Sequence, residues 1–77
     1  MTTYPPISDW RIKINGMEHG MPHVHVEFRD GSRVVVAIET CEILAGNVTP
    51  AKRIAPALAD IAAHADTYLS EFRRLNP

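Results

Sequence analysis

Three of the chain's four histidines, His19, His23 and His25, fall within one short stretch that also holds Glu18 and Glu27. Neutral imidazole is the commonest transition-metal ligand, and a His-x-His pair on a strand sends both rings to one side. Three histidines around an ion with one position open is an arrangement used by catalytic zinc. If the stretch holds a cofactor, it is therefore a divalent metal such as zinc, with His19, His23 and His25 as candidate ligands. The same rings titrate near ~6.5 and can serve as general acid and base without a metal. Beside Arg11 and Lys13, which could hold a phosphate, they would suit an RNA-cleaving toxin or a small hydrolase. His19, His23 and His25 are then the catalytic candidates. A third reading is structural: ring nitrogens satisfy loop carbonyls and carboxylates, and the polar surface they lie on faces solvent or a partner.

The other reactive residues offer less. His64 lies one helical turn after Asp60 and is expected to pair with it at the surface. Cys41 has no neighbour in sequence that would hold it as a thiolate. No complete catalytic signature is present.

Alternation positions the cluster. Trp10, Ile12 and Ile14 alternate with Arg11, Lys13 and Asn15, the period of a half-buried strand. In the next strand Val24, Val26 and Phe28 share one face, while His23, His25 and Glu27 share the other. A third strand runs through Val34–Ile38. For its valines to meet Val24 and Val26, the connection must be the three-residue Arg29-Asp30-Gly31 loop with Gly31 left-handed, pairing Val26 with Val34 and Val24 with Val36. Ile43-Leu44 can add a short fourth strand. Thr49 reads as the N-cap and Pro50 as the first residue of a helix. Ile54, Leu58, Ile61, Ala65, Tyr68 and Phe72 recur along it as an apolar stripe. Pro56 should kink that helix or restart it.

The expected fold is α+β: a three- to four-stranded antiparallel sheet packed against one long C-terminal helix, in the order β-β-β-(β)-α. Residues 1–8, with Pro5 and Pro6, read as an extended N-terminal segment, and residues 9–77 as a single α+β domain.

At 77 residues the chain has room for one modest core. Domains of this size bury only ~60% of the unfolded chain's surface, so a metal, a homodimer or another partner would help. A formal net charge of -1 argues against charge-driven nucleic-acid binding except through a local patch. No stretch approaches the ~20 apolar residues of a membrane span. The N-terminus lacks the basic start and apolar run of a secretory signal, and the single cysteine cannot form an internal disulfide. A reducing, cytoplasmic setting is expected.

Glu18-His19-Gly20-Met21-Pro22-His23-Val24-His25-Val26, followed by Ile38-Glu39-Thr40 and Glu42-Ile43-Leu44-Ala45-Gly46, resembles the small bacterial proteins grouped as domain of unknown function 4160. The likeness runs over roughly residues 10 to 74. Glu18, His19, Pro22, His23, His25, Glu39, Thr40, Glu42 and Gly46 fit the family pattern, and His64 fits its helix histidine. Met21 replaces a usual proline. Cys41 replaces a usual glycine, where a side chain would make a left-handed turn costly.

The resemblance implies no activity. It implies a neighbour: members are often encoded beside another small protein, in the manner of a toxin–antitoxin module. The function expected is a small interaction protein of such a two-gene pair, binding a protein partner through its polar sheet face or edge. Glu18, Glu27, Arg11, Lys13 and Glu39 are the candidate binding residues. A phage or mobile-element inhibitor of a host complex would look much the same.

Overall fold

The computed structural model describes all 77 residues. Strands β1 (Thr2–Thr3), β2 (Trp10–Ile14), β3 (His23–Phe28), β4 (Arg33–Ala37) and β5 (Ile43–Asn47) form one antiparallel sheet in chain order. A 3₁₀ turn, Ala51–Ile54, leads into helices α1 (Ala55–Ala63) and α2 (Ala65–Leu75). Period-two alternation drives the centre of the sheet, because only one face can be sealed by helix. Ile12, Ile14, Val24, Val26, Val34 and Val36 all lie on that sealed face and are almost fully buried. Above them Ile54, Ala57, Ile61, Tyr68 and Phe72 close the core.

The β3–β4 hairpin has the expected register, with Val24 opposite Val36 and Val26 opposite Val34. Phe28 N–H donates to the Ser32 carbonyl at 2.8 Å, leaving Arg29-Asp30-Gly31 as the loop, with Gly31 at φ 93°. An odd loop length is what brings both valine sets to the same side.

The sheet is larger than expected. Residues 1–8 contribute β1, with Thr2 opposite Ile14 and Thr3 opposite Lys13. Pro5 and Pro6 bar helix but permit extended backbone, and the open edge of β2 offers partners for that backbone. The fourth expected strand is β5, and it runs on to Asn47.

The single long helix is replaced by two helices and a 3₁₀ turn. Thr49 makes no side-chain cap, and Pro50 precedes the first turn instead. Pro56 restarts the helix, standing in the first turn of α1, where a missing N–H leaves nothing unsatisfied. At His64 the backbone leaves the helical region (φ -123°, ψ 28°), although the bonds from His64 N–H to Asp60 and from Tyr68 N–H to His64 persist. The His64 ring also lies 3.1 Å from the Asp60 carbonyl, a side-chain competitor for the ladder at the bend. This bend swings α2 onto β2 and β3, where it packs. Tyr68 closes the corner: its hydroxyl donates to the Asp60 carboxylate at 2.5 Å, and burial followed by that contact raises its pKa.

Cys41 takes up the left-handed turn at φ 60° despite its Cβ. Its side chain packs against the core, and its Sγ lies 3.8 Å from the Leu58 carbonyl. Gly46 is held far more tightly. At φ +80° a Cβ there would stand 2.1 Å from the Arg33 carbonyl oxygen, whereas one at Gly31 would meet nothing within 4 Å. Gly31→Ala should therefore cost only the ~1–2 kcal/mol of a left-handed side chain. Gly46→Ala should cost more than that, because the β4–β5 pairing must also open. Urea denaturation of the two variants checks the order.

Arg53 ties one end of the sheet, where β2 starts and β3 turns into β4, to the start of the helical segment. Its guanidinium donates to Asp9 at 2.8 Å, Asp30 at 2.9 Å and the Thr49 carbonyl at 3.0 Å, and sits 5.0 Å over the Phe28 ring. The Arg53 hydrogen bond, helped by Ser32, holds the Asp30 carboxyl at about 2. Arg74, with Thr2, likewise holds Glu71 at about 2. Both groups are depressed in the fold, so their contribution is complete above their ordinary values of 3.8 and 4.5 and is lost as pH falls toward about 2. The urea midpoint should drop across that acid window, and Arg53→Ala should make the drop smaller.

Candidate functional site

The histidine cluster sits where β3 begins, beneath the loop from β2. Asn15 through Pro22 form this loop, which turns on Met17 at φ 58° and Gly20 at φ 92°. The helix end holds it in place. The Asn76 side-chain carbonyl accepts the Glu18 N–H at 2.7 Å, while its amide donates to the carbonyls of Asn15 at 3.0 Å and Phe72 at 2.9 Å. One side chain thus caps α2 and fixes the loop that carries Glu18.

The Glu18 carboxylate then meets both strand histidines. His25 Nε2 lies 3.0 Å from Glu18 Oε1, and His23 Nε2 lies 3.6 Å from the same oxygen. The two rings are 5.4 Å apart in an edge arrangement. The His25 hydrogen bond is the largest influence on Glu18 and lowers its carboxyl pKa, with burial opposing. One ligand atom from each of Glu18, His23 and His25 falls within 4.8 Å of the others.

His23 differs from its expected setting. Strand parity places it beside His25, yet it is buried, at 9% exposure, because Phe72 reaches within 5.4 Å of its ring. Its Nδ1 lies 2.9 Å from the Met21 carbonyl. A carbonyl only accepts, so Nδ1 carries a proton and donates, and Nε2 is aimed at Glu18.

The remaining candidates are placed elsewhere. His19 is exposed on the loop and does not join the other two rings. An open recess of about 350 Å³ runs past Met17, Glu18, His19, Phe72 and Asn76, and neither His23 nor His25 lines it. Glu27 is claimed by Arg11 at 3.1 Å and Lys13 at 3.8 Å, so both cations that could hold a phosphate already have an anion. Glu39 is exposed in the turn after β4. His64 pairs with Asp60 at 3.2 Å on the helix flank, away from the cluster. Asn76 and Arg53 escaped the reading of the sequence. Asn76 stands 61 positions from Asn15, and no local pattern links them.

Removing the Asn76 side chain should cost about 1–3 kcal/mol, since it leaves the Asn15 and Phe72 carbonyls and the Glu18 N–H without that partner. Asn76→Ala should also speed hydrogen exchange at the Glu18 amide while leaving amides of β3 and β4 protected, which an NMR exchange series would read.

No curated protein and no solved structure matches the chain. Residues 9–73 match the family described as Domain of unknown function (DUF4160). That span is most of the chain and takes in β2 through β5 and nearly all of the helical segment, so the protein belongs to this family of unknown function.

Proposed function

We propose that this protein is a non-enzymatic interaction module, the small binding member of a two-gene pair of the toxin–antitoxin kind, and that an extended segment of its protein partner docks along β5. The observation that supports this reading most directly is the character of that edge. Every residue of β5 is exposed, and Ile43-Leu44-Ala45-Gly46-Asn47 carries no charge and no proline. Ile43 is 48% and Leu44 40% exposed. Edge strands are normally shielded by charge, proline or brevity. The opposite edge obeys this rule: β1 is two residues long and soon followed by Pro5 and Pro6.

β5 is bulged opposite Val35 and Val36, yet its outer side has no further strand to pair with. A strand added there gains main-chain hydrogen bonds and covers two large apolar side chains. The polar sheet face is a weaker docking surface, because Arg11, Lys13 and Glu27 neutralise one another. The same pairing weakens a phosphate-binding, RNA-cleaving role. A domain this small also gains stability by mass action from whatever binds only its folded state.

Co-expression with the protein encoded by the adjacent gene, followed by size-exclusion chromatography with light scattering, tests the proposal. The two chains should co-elute. Leu44→Lys should weaken the complex by about 1.4 kcal/mol or more, a tenfold loss of affinity, with an unchanged thermal melt. A monodisperse monomer that ignores its neighbour, a β5-paired homodimer alone, or full binding by Leu44→Lys would overturn it.

A further inference from the structure

We propose that Glu18, His23 and His25 form a binding site for one divalent first-row transition ion, zinc foremost. The proposal is independent of the docking edge and replaces the all-histidine ligand set with two imidazoles and a carboxylate. The geometry supports it at three points. Separations of 3.0 and 3.6 Å from Glu18 Oε1 to the two Nε2 atoms bracket the ~3.3 Å between donors that ~2.0–2.1 Å bonds to a tetrahedral ion require. The third separation also lies within 4.8 Å, so a small closure brings all three donors onto one ion.

The second point is the orientation of His23. Metal-bound histidines characteristically donate their other ring N–H to a carbonyl or carboxylate, which fixes the tautomer and aims the ligating nitrogen. His23 has this partner in the Met21 carbonyl at 2.9 Å. The other ring nitrogen, Nε2, is thereby turned toward the Glu18 carboxylate, 3.6 Å from Oε1. A divalent ion placed between them would take one bond from each.

The third is mechanical. The carboxylate is held by the loop that Asn76 clamps, and His23 is packed against Phe72, so two of the three ligands are positioned before any ion arrives. His25 and Glu18 side chains remain 22% and 30% exposed, which leaves a path for the ion and a coordination position for water. Imidazole and carboxylate donors without thiolate select zinc and its first-row neighbours over magnesium, calcium or copper(I). A bound ion would tie the β2–β3 loop to the start of β3.

The test uses the full chain, purified without a histidine tag and stripped of metal. Zinc is titrated by calorimetry, and cobalt(II) by visible absorption. The wild type should take up one equivalent of either ion, show the intense ligand-field bands of low-coordinate cobalt, and melt at higher temperature with zinc. His25→Gln and Glu18→Gln, at partly exposed positions, should each weaken binding ~100-fold or more and abolish both the bands and the thermal shift. His19→Ala should bind as the wild type does. Absence of stoichiometric uptake would overturn the assignment. So would binding that survives both His25→Gln and Glu18→Gln, or that is lost in His19→Ala.

Discussion

Everything in this molecule follows from the sealing of one face of β3. Val24 and Val26 are completely buried beneath the helices, and their register with Val34 and Val36 admits no slip, since a shift of one residue would turn both valine sets to solvent. That constraint fixes the length of the Arg29-Asp30-Gly31 loop, the left-handed Gly31 and the direction in which His25 and Glu27 emerge. It also explains why β2 must run beside β3 with Ile12 opposite Val26: the same helices that cover the valines cover the isoleucines.

The histidine cluster is a consequence of how the end of this sealed sheet is closed. At the centre of β3 the alternation is clean, buried against half-buried. At its first residue the sheet runs out, and the loop from β2 and the last turn of α2 converge there. His23 is trapped between Phe72 and Glu18, while His25, one step further in, stays partly open. A single asparagine near the C-terminus brings this about by capping its own helix and the loop together. Rigidity at this corner is therefore borrowed from contacts that span most of the chain, and it gives Glu18 a fixed direction that a free loop could not.

The two unfinished features of the molecule lie at opposite ends of its chemistry. One is a hydrogen-bonding edge, β5, uncharged and exposed beside a sheet that is otherwise well satisfied, with no buried side-chain polar atom lacking a partner. The other is the convergence of two imidazoles and a carboxylate, His23, His25 and Glu18, with one ligand atom from each within 4.8 Å of the others. A small domain with a marginal core has reason to keep both, because each can add stability from outside the chain: a strand on the edge, an ion at the corner. On the polar face between them, Arg11, Lys13 and Glu27 form a closed charge group.

The sequence by itself determined the α+β class, the strands from Trp10 to Ala37, the hairpin register and the apolar stripe of the helices. These are properties of period and parity, carried by neighbouring residues, and a local pattern suffices to state them. His23 and His25 were legible as a pair for the same reason. Tertiary structure alone decided that Glu18, and not His19, completes the cluster, because that depends on how a loop with two left-handed residues is pinned by Asn76. It likewise decided the burial of His23, the recruitment of residues 2 and 3 into the sheet, and the bend at His64 that lays α2 on β2 and β3. Each of these joins residues far apart in the chain through hydrogen bonds or packing that leave no periodic trace in the order of the amino acids.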